Sequence, residues 1–101
     1  MLRAPSTKAN RPQTGVDTLD HELAGEMAAS LGRAGREAEA ALARLAAHPG
    51  EGSERAALLR AAADAVYAYF IQRELCGLKR HDDVVRQLAI PRAVLVRLGA
   101  R

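Results

Sequence analysis

From Leu19 onward apolar residues return at steps of four and three, as Leu19, Leu23, Met27, Leu31, Ala34, Ala38, Leu42 and Leu45. That spacing draws one narrow stripe along an α-helix. It predicts a first helix of about thirty residues, on the order of 45 Å long at about 1.5 Å per residue. Order begins at Val16, with Asp17 placed to cap the helix. Asp20, Glu22 and Glu26 then put carboxylates near its positive end, while Arg33, Arg36 and Arg44 follow in the later half. Gly25, Gly32 and Gly35 lie inside, each costing up to about 1 kcal/mol relative to alanine. A bend or break near Gly32 is therefore expected, and Gly35, beside Ala24, Ala28 and Ala38, marks a place for a close helix crossing.

The segment HPGEGS, residues 48 to 53, combines a proline with two glycines and stops the helix. Ser53 is placed to cap a second helix that runs to about Cys76 and ends at Gly77, a residue free to take the left-handed conformation. Between Asp64 and Gln72 this helix holds AVYAYFI, an uncharged run with all three aromatic residues of the chain. Helical spacing puts Leu59, Ala62, Ala63, Val66, Tyr69, Phe70 and Arg73 on one face, which should pack on the first helix. Ala61, Ala68, Ile71 and Leu75 lie on the reverse. Downstream, Asp82 to Leu88 and Ala93 to Leu98 read as two short helices separated by Ile90 and Pro91 and ended by Gly99. Their Val84, Val85, Leu88, Ile90, Val94, Leu95 and Leu98 are too apolar to stay exposed, and the expectation is that they cover Ile71 and Leu75.

Leucine and alanine dominate the chain, so composition agrees with an all-α class: a long helical hairpin plus two short C-terminal helices. Its 101 residues suit a single domain with a modest core. Residues 1–15 have no apolar period and two prolines, and are expected to form a mobile basic tail ahead of a helical domain at 16–101. Charge is uneven: the net +3 divides into +3 over residues 1–16, +4 over residues 78–101 and hence −4 between them. This polarity suits an acidic or nucleic-acid partner, and equally two copies of one chain. No segment approaches the roughly 18 apolar residues that span a bilayer, and no signal peptide is visible, so no membrane association is expected. The single Cys76 excludes an internal disulfide, consistent with a reducing, cytoplasmic setting.

Chemistry-bearing residues are sparse. His21, His48 and His81 share no helical face and match neither a zincin nor a carboxylate-bridged spacing, so no metal or other cofactor is expected. Cys76 sits at a helix C-terminus, where the dipole opposes a thiolate, so it reads as a small apolar residue rather than a nucleophile. Arg73 stands on the apolar face and is expected either to form a buried ion pair with Asp20, Asp82 or Asp83 or to extend to solvent. Tyr67 falls at the boundary of that face and is the one aromatic placed for an interface. Arg86, Arg92, Arg97 and Arg101 give the C-terminal segment the outline of a basic helix-turn-helix. Its second helix, PRAVLVRL, lacks the Asn or Gln that would read base edges.

The stretches LGRAGREAEAAL at 31–42, YAYFIQRELCGL at 67–78 and HDDVVRQLAIPRAVLVRLG at 81–99 resemble a small uncharacterised bacterial all-helical family. The likeness covers most of residues 16–100 and implies a bacterial helical domain with no assigned activity, cofactor or catalytic residue. Taken together, these features predict a non-enzymatic interaction or structural module. Its first helix outruns its second, leaving part of an alanine-rich seam uncovered, and a homodimer in the form of a helical bundle would close it. An unidentified protein is the expected further partner. Nucleic-acid binding through the basic C-terminal segment is the alternative.

Overall fold

A computed structural model describes residues 15–100 of the chain and shows four helices among them, with no strand. Helix α1 spans Gly15–Ala46, α2 Ser53–Leu75, α3 Asp82–Gln87 and α4 Arg92–Leu95. The tail at 1–14 lies outside the described residues; Gly15, assigned above to that tail, is helical. Asp17 consequently lies within the first turn rather than at the cap. α1 runs unbroken through Gly25, Gly32 and Gly35. The break expected near Gly32 does not occur, because burial of the stripe downstream outweighs the propensity cost.

α1 ends at a turn held by Arg55, whose Nη1 donates to the carbonyls of Leu45 at 2.9 Å and His48 at 2.7 Å. The Leu45 carbonyl, which also accepts from the His48 N–H, and the His48 carbonyl thus share a cationic partner at the helix end. Gly52, at φ +108°, turns the chain into α2, and Ser53 is already helical and makes no side-chain cap. α2 ends as expected. Gly77 takes φ +91°, its N–H meets the Glu74 carbonyl, and the Leu78 N–H meets that of Arg73 at 2.9 Å, a Schellman closure.

The two long helices pack antiparallel around Ala38, Ala41, Leu42 and Leu45 of α1 and Ala62, Ala63, Val66 and Phe70 of α2, all buried. Alanine at four of these eight positions lets the backbones approach closely. Gly35 does the same at the edge: a Cβ there would stand 3.2 Å from the Tyr69 ring. The C-terminal segment adds Val84 of α3, Ile90 of the link and Val94 of α4 to the same core. Leu45, Val66 and Val94, the largest fully buried side chains, come one each from α1, α2 and α4.

That third layer differs in place from the one expected. α3 and α4 close on the inner face of α2 beside α1, not on its reverse, and Ile71 and Leu75 stay exposed, Leu75 at 65%. The physical reason is that Ala63, Val66 and Phe70 form a face wide enough for two neighbours. α4 is also shorter than expected, ending at Leu95 before turns that lead to Gly99.

Candidate interaction surface

At the closed end of the α2 stop, four side chains gather. Phe70, Arg73 and Glu74 lie one turn apart on α2, and the chain reversal at Gly77 brings His81 back over them. The His81 ring stacks on Phe70 at 4.1 Å between centroids and 8° between planes. Arg73 donates from Nε to His81 Nδ1 at 3.0 Å and from Nη2 to the Arg80 carbonyl at 2.8 Å. Guanidinium nitrogens only donate, so Nδ1 accepts and the imidazole proton sits on Nε2, aimed at Glu74 Oε2 2.9 Å away. Arg73 is buried to 9% exposure, with its guanidinium 5.9 Å from the centre of the Tyr69 ring.

The ion pair expected for Arg73 is therefore replaced. Neither Asp20, Asp82 nor Asp83 meets it; a neutral histidine and a backbone carbonyl do, and the histidine passes the contact on to Glu74. Asp82 pairs instead with exposed Arg80 at 3.5 Å, and Asp83 Oδ1 accepts from the Val84 N–H at 3.0 Å. His81 is thus a structural partner of both Arg73 and Glu74. The signal was the spacing of Phe70, Arg73 and Glu74, which present one turn of surface immediately before a helix stop.

An open cleft of about 750 Å³ lies beside this cluster, lined by Arg73, Lys79, Arg80 and Arg86 together with Asp82 and Asp83. Arg97 lines a different hollow, with Arg60 and Asp64 of α2, and its Nη1 donates to the Ala93 carbonyl at 3.0 Å. Arg86 and Arg97 thus do not share one groove, Arg92 opens a helix of four residues, and Arg101 lies outside the described residues. This is not the long second helix that lies in a major groove.

Tyr67 is exposed yet lies along the C-terminal turn, where a Cβ on Gly99 would stand 3.2 Å from its ring. Cys76 is half-buried, its Sγ 4.0 Å from the Met27 carbonyl, and both nitrogens of nearby His81 are committed elsewhere. His21, His48 and His81 remain on separate elements. His48 Nε2 contacts Glu54 Oε1 at 2.8 Å, and among the described residues no three His, Cys, Asp or Glu gather as metal ligands.

The contact between Cys76 and Met27 also shows where α2 stops along α1. The part of α1 before Met27, about 12 residues and about 18 Å, projects beyond the hairpin. Leu19 and Leu23 lie along this overhang at 54% and 47% exposure, and Met27 stands at its base at 39%. Ala24 and Ala28 of the alanine-rich seam stand uncovered with these large side chains, whereas Ala34, Ala38 and Ala41 sit under α2 or beside it. A second exposed stripe, Tyr67, Ile71 and Leu75, follows the reverse face of α2.

No helix among the described residues is long and apolar enough to cross a membrane. The chain belongs to a family of unknown function, DUF6665, whose model matches residues 5–101. No curated protein and no solved structure matches it.

Proposed function

We propose that this member of the family is a non-enzymatic helical interaction module acting as a homodimer. The observation that carries this reading is the exposed line of Leu19, Leu23 and Met27 on the overhang. It continues, on the same helix, the stripe that α2 buries downstream. A projecting helix of about 12 residues is marginal in water on its own, and this one contains Gly25. A packed partner would supply the missing stabilisation and remove three large apolar side chains from solvent. The lone Cys76 suits a reducing bacterial cytoplasm as the place where this happens. The assembled surface would then recruit a further protein.

Light scattering coupled to size exclusion tests the homodimer directly. Wild-type protein at micromolar concentration is expected to run as a dimer, and Leu23→Asp as a monomer whose circular dichroism loses no more than the helix of the overhang. A monomeric wild type would overturn the reading.

A further inference from the structure

The overhang alone offers a contact face of about 18 by 10 Å, far short of the roughly 800 Å² per partner of an ordinary stable interface. A dimer made only by crossing two overhangs would therefore be small. The second exposed stripe adds a contact of similar size on each copy. Tyr67, Ile71 and Leu75 repeat at intervals of four residues over two turns, as do Leu19, Leu23 and Met27, so the stripes match in length and pitch.

The two stripes also face compatible ways. The overhang stripe continues the face of α1 that holds α2, so it points along the line α2 would occupy if it were longer. The other stripe lies on the side of α2 turned away from α1 and is strongest toward the end of that helix. A two-fold axis beside the tip of α2 places a second α2 in line with the first, end toward end. Each overhang then lies on the reverse face of the other chain's α2.

Resting on the homodimer proposed above, we infer that the overhang stripe Leu19–Leu23–Met27 of one copy docks on the Ile71–Leu75 stripe of the second copy, reciprocally. Two contacts per dimer double the buried area, and because each copy both gives and receives, the assembly closes at two chains instead of growing into fibres. At the rim, charges are opposed: Asp20, Glu22 and Glu26 lie on an overhang without Lys or Arg, and Lys79 and Arg80 stand just past the end of the receiving helix. Tyr67, already against Gly99, borders the docking face.

Two measurements separate this arrangement from a simple crossing of overhangs. Ile71→Asp is expected to abolish the dimer as fully as Leu23→Asp, with Leu75→Asp as a second variant on the same stripe, all three losing no more circular dichroism than the helix of the overhang. In a Cys76→Ser background, Leu23→Cys and Ile71→Cys chains are mixed and treated with a bismaleimide of about 10 Å, the spacing of packed helix axes. Cross-links are expected between unlike chains and not between two Leu23→Cys chains. If Ile71→Asp and Leu75→Asp remain dimeric, or if Leu23→Cys links mainly to itself, the reciprocal docking is wrong while the homodimer stands. If wild-type protein is monomeric, both fall.

Discussion

Ala89 holds the left-handed conformation, φ +51°, where its Cβ crowds the following carbonyl. It does so to end α3: the Ile90 N–H reaches the Val85 carbonyl at 3.0 Å and the Ala89 N–H that of Arg86 at 3.1 Å, the same closure that Gly77 makes for α2. Gly77 announced its stop in the sequence; Ala89 did not, because alanine ordinarily extends helices. Ala89→Gly is expected to raise stability by about 0.5–1 kcal/mol in urea titration, since relief of strain exceeds the added freedom of the unfolded chain. Arg73 presents the opposite case, a costly residue held by good partners. Arg73→Met strands His81 Nδ1 and the Arg80 carbonyl and is expected to cost about 1–3 kcal/mol. In combination with His81→Phe the loss should be less than additive, by at least about 0.5 kcal/mol in a double-mutant cycle. Additive losses would show that the two side chains act independently.

Among the elements, α1 separates propensity from packing. A Cβ at Gly32 would meet only the flexible end of Arg36, at 3.2 Å, so Gly32→Ala is expected to stabilise the helix by about 0.5–1 kcal/mol. At Gly35 the obstacle is the Tyr69 ring edge at 3.2 Å, wedged between the two long helices. Gly35→Ala should gain less than Gly32→Ala or destabilise, as thermal melts of the two variants would show; equal gains would mean that the ring moves freely. The spacing of Leu19 to Leu45 and the HPGEGS turn made both long helices and their stops legible, because period and punctuation are local properties. The inner face of α2 was legible for the same reason. Arg55 as the cap of α1 was not, since its partners Leu45 and His48 reach it only after the turn has formed.

For the molecule as a whole, the core and the exposed stripe are separable parts. Every buried residue of α1 lies at or after Ala38, whereas the overhang ends near Met27. Deleting residues 1–26 is therefore expected to leave a cooperatively folding hairpin, with midpoint denaturant close to that of the isolated wild-type monomer, and to abolish dimerisation. Loss of folding would show that the overhang belongs to the core. The candidate surface was only half readable beforehand. That the first helix outruns the second followed from their lengths, but which side chains would be left bare did not, since that depends on the level at which α2 stops against α1. Ile71 and Leu75 looked like seats for the C-terminal helices because a wheel shows which face is apolar and not which neighbour takes it.

The sequence by itself determined an all-helical chain, its two long helices, the turn between them and the apolar face that joins them, because each is set by residues within a few positions of one another. Tertiary structure alone decided that α3 and α4 lie against the inner face of α2, that Arg73 meets His81 instead of a carboxylate, and that two stripes remain in solvent. Those outcomes depend on competition between segments for the same apolar surface, and such competition is settled only when the segments meet in space.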